Sequence, residues 1–161
     1  MKDFAIILIF CGMLTLSTSV SGPVYQWGDY TPLFMARADL ENSVSYSPGE
    51  RAMKEPGKIY YKAPYIFVNE RYKGVHIINN SQPTQPVVEG FIIAPGCLDM
   101  AVKGNILYID NSVDLVAFDL DAKQVTQRVR NVFPTPPSPA GALYYYDDRH
   151  TDKVLVGWKK R

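Results

Sequence analysis

Histidine and cysteine are scarce in this chain, and an excess of charge of either sign is missing. There are two His and two Cys, and 17 basic residues face 16 acidic ones for a net charge of +1. That balance removes the electrostatic case for nucleic acid or for a polybasic contact with a membrane surface. No G-x-S-x-G, no Cys/His zinc spacing and no Walker-type phosphate loop occurs, so no motif anchors a catalytic, metal or nucleotide site. Nor is there an apolar run long enough to span a bilayer. Phe4 to Leu16 holds 13 residues, against about 20 for a membrane helix.

That short run reads as part of an export signal. Lys2 supplies the positive start, and Ser19-Val20-Ser21 places small residues at the −3 and −1 positions of a cleavage site before Gly22. A lipoprotein signal with Cys11 acylated is the alternative. Phe10 stands where a small residue is wanted, and few apolar residues precede Cys11. Cleavage near Ser21 is therefore the expectation, ahead of lipidation or an uncleaved anchor. The mature chain then keeps one thiol, Cys97, which excludes an internal disulfide. A buried Cys serving as a small apolar residue is the plain reading, ahead of a nucleophile or an intermolecular disulfide.

What the chain does contain is a pattern written twice. IYYKAPYIFVNERYKGVHIINNSQP (Ile59–Pro83) is followed by MAVKGNILYIDNSVDLVAFDLDA (Met100–Ala122). Lys62 answers to Lys103, an offset of 41, and Val75 answers to Leu115, an offset of 40. A period in the low forties built from short apolar runs is a β-propeller signal. Eleven Tyr favour strands, and 12 Pro and 11 Gly are spread as turn punctuation.

Four strands are predicted in each copy. The first four lie near Lys58–Lys62, Tyr65–Glu70, Gly74–Asn79 and Val87–Ile93. The second four lie near Leu98–Val102, Asn105–Asp110, Val113–Leu120 and Gln124–Val132. Tyr65-Ile66-Phe67-Val68 and Ile106-Leu107-Tyr108-Ile109 are apolar at every position, which predicts cover on both faces. The fourth strand of the second copy alternates and is polar, as an outer strand would. Leu33, Ala36, Leu40 and Val44 have helical spacing and predict a short helix that plugs a sheet edge. Tyr46-Ser47-Pro48-Gly49 reads as a turn. Phe133–Pro139 carries four Pro and reads as a stiff connector outside any sheet. Ala142–Tyr146 and Lys153–Trp158 then look like the opening hairpin of a third unit.

The expected fold is thus all-β, a partial β-propeller of two four-stranded blades plus an incomplete third, with one short N-terminal helix. Its parts are residues 1–21 as signal, 22–57 as N-terminal extension, 58–133 as two repeats, and 134–161 as connector and third unit. Closed propellers use roughly 4–8 blades, so an open segment, a truncated product or one part of an assembly is expected. Self-association through exposed blade edges would follow.

GVHIINNSQP (Gly74–Pro83) and DLVAFDLDA (Asp114–Ala122) resemble the core of the LVIVD repeat of exported bacterial β-propeller proteins. The stretch from Tyr30-Thr31-Pro32-Leu33-Phe34-Met35 to Asn131-Val132-Phe133-Pro134 is similar to the N-terminal part of such proteins from Bacteroidetes. The resemblance implies export to the periplasm or cell surface and a propeller-type scaffold. It supplies no catalytic residues.

Candidate contact residues are few. Inner propeller strands line the central channel, which nominates Asp99 and Lys103. The hairpin turn Glu70-Arg71-Tyr72, with Lys73, offers exposed Arg and Tyr of the kind favoured at binding surfaces. A charged solvated turn is the rival reading. His76 sits mid-strand, where a structural role is expected. His150 lies with Asp147, Asp148 and Asp152 in a turn that departs from the EF-hand template, so neither a metal site nor a cofactor is predicted. The resulting expectation is a non-enzymatic exported scaffold that binds protein or glycan. An exported propeller-type hydrolase or lyase using Asp99 and Asp110 is the alternative.

Overall fold

A computed structural model describes residues 29–141 and 152–161. Its centre is two antiparallel meanders. The first runs β3 (Pro56–Lys62), β4 (Tyr65–Glu70), β5 (Gly74–Asn79), β6 (Val87–Ile93), and takes β2 (Ser45–Pro48) as a fifth strand beyond β6. The second runs β7 (Met100–Lys103), β8 (Ile106–Asn111), β9 (Asp114–Asp119), β10 (Gln124–Val129). Each repeated stretch therefore forms its four strands, and β4, β5 and β6 have the predicted bounds. Two-residue turns such as Ala63-Pro64 keep sequence neighbours paired.

The two sheets stack face to face. Phe67, Val75, Ile77 and Ile92 of the first share one buried cluster with Leu107, Ile109, Val116 and Phe118 of the second. Phe67 is the third residue of β4, whereas Leu107 and Ile109 are the second and fourth of β8. Opposite faces of equivalent strands thus meet, so the units stack in the same sense. Their first strands lie side by side. Lys58 pairs with Asp99, the Tyr60 hydroxyl donates to the Val102 carbonyl at 3.4 Å, and the Lys62 ammonium donates to the Gly104 carbonyl.

Both-face cover is found in β4, where Phe67 and Val68 point to opposite faces and are both buried. A sheet covers one face; the segment after β2 helps cover the other, with the Arg51 guanidinium 4.3 Å from the Phe91 ring centre. In β8 burial alternates instead. Leu107 and Ile109 are fully buried, while Ile106 and Tyr108 stay partly exposed. The second sheet has a sheet against one of its faces only, so the expectation of double cover fails there. β10 is polar and exposed, as expected of an outer strand.

The termini correct three sequence readings. The helix expected over Leu33–Val44 is cut to α1 (Arg37–Glu41), because Tyr30–Ala36 is a strand, β1, paired antiparallel with β11 (Lys153–Lys160). Cross-strand pairing overrides the helical spacing there, and only Leu40 keeps its expected burial. Of Tyr46-Ser47-Pro48-Gly49, read as a turn, the first three belong to a strand, β2 (Ser45–Pro48). Gly90 makes room for it, since a β-carbon there would lie 2.5 Å from the Tyr46 hydroxyl. The turn itself falls on Gly49, whose φ of +88° suits glycine. Finally, Lys153–Trp158 was expected to open a third unit; among the described residues its partner is β1. Ala142–Tyr146, His150 and the export signal lie outside the described residues.

Sheet β1–β11 crosses the end of the stack where the β4–β5 and β8–β9 turns lie. Leu155 and Trp158 bury against Tyr30, Phe34 and Tyr72, and the Ser112 hydroxyl donates to the Leu155 carbonyl at 2.5 Å. Phe133–Pro139 enters no sheet, as expected. Its Pro136 carbonyl accepts from the Trp158 indole at 3.1 Å. Asp114 clamps the helix to the second sheet. It is fully buried and accepts from Arg37 at 2.9 and 3.0 Å, from Arg128 at 2.8 Å and from the Asn131 amide at 3.0 Å. Burial pushes its pKa up, but the Asn131 amide and the two guanidiniums outweigh that and hold it below the usual range.

Two outcomes are expected. Phe67→Ala should lower unfolding free energy by about 3–5 kcal/mol in denaturant titrations, as a buried aromatic deletion does. Asp114→Asn should cost about 1.5–3 kcal/mol, because two half-buried guanidiniums lose a charged acceptor. Since the folded pKa of Asp114 is lowered, its stabilisation is complete above about pH 4 and is lost as pH falls through the folded value. Acid titration of unfolding in the variant should accordingly show a shallower loss below about pH 4 than in the parent. Equal slopes would show that Asp114 does not carry the acid response.

Candidate functional site

The nominated residues fall in two places. Asp99 is exposed at the entry to β7 and is committed to local bonds. One oxygen accepts from the Met100 amide at 2.8 Å and the other pairs with Lys58. Burial would raise its pKa, yet Lys58 and the Met100 amide hold it below the usual range. Lys103 is exposed at the other end of the same strand. Asp110, the other carboxylate of the enzyme alternative, accepts from the Leu98 and Asp99 amides at 2.9 Å each. Burial pushes its pKa up. Two neighbouring carboxyls with opposed shifts are what an acid–base pair uses. Here both are turned onto backbone amides, and neither lines the clefts described below. Their work is to hold the Gly96–Met100 segment.

Cys97 is fully buried in the same segment. Its thiol contacts the Asn69 amide nitrogen at 3.2 Å. Burial, reinforced by Asp110, pushes its pKa well up, which leaves little thiolate for nucleophilic attack. The thiol fills core space.

The β4–β5 turn is a different case. Glu70 is buried and its carboxylate bonds the His76 imidazole at 2.8 Å and Lys73 at 3.1 Å. Burial alone would raise its pKa, but these two partners hold it below the usual range. His76 packs edge-on against Phe91, with ring centres 4.6 Å apart. Glu70 and His76 thus brace the turn from inside rather than reach solvent, and Glu70 is unavailable as a surface contact. Arg71 and Tyr72 remain at the surface. Tyr72 takes a left-handed conformation at φ +61°, and Ser112, its counterpart in the second repeat, does the same at +60°. Tyr72 is clamped on three sides. Its amide donates to the Cys97 carbonyl at 2.8 Å, its carbonyl accepts from the Gly96 amide at 3.0 Å, and its hydroxyl donates to Pro137 at 2.7 Å. The Arg71 amide donates to the Glu55 carbonyl at 3.0 Å.

Two clefts meet at this turn. One, of about 330 Å³, is walled by Tyr30, Glu55, Arg71, Tyr72, Trp158 and Lys160. The other, of about 410 Å³, lies between Gly57, Lys58, Arg71, Leu98 and the Pro137–Pro139 segment. Arg71 and Tyr72 belong to both, so they form the ridge of a continuous groove. The side chains of Arg71 and Lys160 enter no ion pair among the described residues. Sequence reasoning reached Arg71 and Tyr72 through the repeat alignment. It missed Tyr30, Trp158 and Lys160, because they come from strands paired across most of the chain. Among the described residues no group of three or more His, Cys, Asp or Glu could hold a metal ion.

Cys97 should resist iodoacetamide at pH 8 in the native protein and react fully once the chain is unfolded in denaturant. Rapid native labelling, read by mass spectrometry, would contradict its assignment as core filler.

Comparison of the chain with family models, with curated proteins and with solved structures finds no match in any of the three.

Proposed function

We propose that this chain is an exported, non-enzymatic binding module of β-propeller type, related to the LVIVD repeat, and that it engages a protein or glycan ligand through the groove around Arg71 and Tyr72. The observation that carries the reading is the stacking of two repeated meanders in the same sense, with first strand beside first strand. Propeller blades are built this way, so that one face of each unit fits the opposite face of the next. The blade edges and the outer face of the second sheet, against which no sheet packs among the described residues, are surfaces through which copies of the chain would self-associate.

The groove supports the binding half of the reading. A rigid turn presents one aromatic and one guanidinium side by side, and Arg and Tyr are enriched among residues that dominate binding energy. Among the described residues Arg71 and Lys160 outnumber the acid Glu55 along the walls, which favours ligands bearing carboxylate, sulfate or phosphate groups. Asp99 and Asp110 are both tied to structural bonds, which leaves the enzyme reading without a pair of free carboxylates.

Glycan and peptide arrays probed with the protein should return acidic ligands. Arg71→Ala should weaken the best of them at least about tenfold. Among the described residues only the main chain of Arg71 is hydrogen-bonded, so the variant's circular dichroism and thermal midpoint should stay unchanged. Arrays without binders, or a variant that binds as the parent does, would sink the proposal.

A further inference from the structure

Among the described residues no element covers the other end of the stack, and it holds a cleft that the repeat reading does not assign. This end carries the β3–β4, β7–β8 and β9–β10 turns, away from the β1–β11 sheet. Between the two sheets lies a cavity of about 380 Å³, inside the roughly 300–1,000 Å³ range of small-molecule sites. Its apolar lining is Phe67, Ile77, Leu120 and Tyr65. Phe67 and Ile77 also belong to the buried core, so the cavity reaches down to the inter-sheet contact.

Its rim carries charge. Lys62 and Lys123 stand at the mouth with Asp121 and Asn105. Neither lysine enters an ion pair among the described residues. The Lys62 ammonium donates to the Gly104 carbonyl, which leaves two of its three N–H groups. Lys123 lies 4.9 Å from the centre of the Tyr46 ring. The turn that presents it is fixed. Lys123 takes φ +55°, and Asp119 accepts from the Asp121 and Ala122 amides at 2.8 and 3.0 Å and from Asn105 at 3.1 Å. Among the lining residues two ammonium groups face one carboxylate over an apolar floor, while Asp119 and Glu89 stand behind the rim, bonded to Asn105 and Tyr65.

We propose that this inter-sheet cleft binds a small amphipathic monoanion, an aryl or branched alkyl carboxylate. Its apolar body rests on Phe67, Ile77 and Leu120, and its carboxylate lies between Lys62 and Lys123. The site is separate from the Arg71 groove, so either can fail without the other.

Titration calorimetry with 3-phenylpropanoate, 3-phenylpropan-1-ol and 3-phenylpropylamine tests the charge and the floor separately. The carboxylate should bind at least about fivefold tighter than the alcohol, in line with one or two charge contacts near a surface. That preference should shrink when salt is raised from about 0.1 to 0.5 M. Lys62→Gln and Lys123→Gln should each weaken the carboxylate about two- to fivefold and leave the alcohol unchanged. Lys123 lies in the β9–β10 turn and its variant should keep the parent's thermal midpoint. Lys62 ends β3 and bonds the Gly104 carbonyl, so its variant should lower the midpoint by no more than a few degrees. Amide shifts in ¹⁵N NMR spectra should cluster at residues 62–67, 105 and 120–123. Equal affinity for carboxylate and alcohol, tighter binding of the amine through Asp121, shifts at the Arg71 groove instead, or no saturation by about 10 mM would each overturn the proposal.

Discussion

The contact between the two sheets is the constraint on which everything else depends. A four-stranded antiparallel meander has one apolar face too many to stand alone in water. Phe67, Val75, Ile77 and Ile92 remove that face from water only because Leu107, Ile109, Val116 and Phe118 arrive from the next repeat. The crossover between the units feeds the same core with Ala94, Cys97 and Met100. Cys97, the free cysteine among the described residues, invites a redox explanation. Its burial gives a simpler one, since the position needs a small apolar atom group at the seam of two sheets.

The stack has two unlike ends. At one, β1–β11, α1 and the proline-rich connector are drawn over the turns by Asp114, Ser112, Tyr72 and Trp158. That covering layer turns the β4–β5 hairpin from a solvated loop into one wall of a groove. At the other end none of the described elements is laid across the turns, and an apolar slot rimmed by lysines lies between the sheets. Repeats related by sequence have thus been placed in different surroundings. Arg71 and Lys62 gain their settings from what lies next to each turn rather than from the repeat itself.

The part of the fold that could be read from sequence is the part held by near neighbours. Tyr65–Glu70, Gly74–Asn79 and Val87–Ile93 are strands joined by short turns, and alternation with turn residues marks each one. β1 could not be read that way. Its partner is more than a hundred residues away, and the spacing of Leu33, Ala36 and Leu40 suits a helix until that partner is known. β2 was hidden because its Pro48 and Gly49 signal a turn, while the room for Tyr46 is made by Gly90 on another strand. The groove was half visible. Arg71 and Tyr72 stand out as a hairpin turn, but Tyr30, Trp158 and Lys160 join them only through tertiary pairing. Glu70 looked like a surface acid in sequence. Its burial goes with the bond from His76, which lies diagonally opposite on β5, a contact that no local pattern announces.

The pairing of β1 with β11 also sets an order of events at the ribosome. Both meanders are complete once the chain has emerged past Val129, and contacts within them are local. Tyr30–Ala36 must wait for Lys153–Lys160, an interval of 117 residues from 36 to 153. At roughly 5–20 residues per second this delay is on the order of ten seconds. Throughout it, Phe34 lacks the Leu155 and Trp158 partners that later cover it. A nascent chain in that condition is a natural client for a holding chaperone.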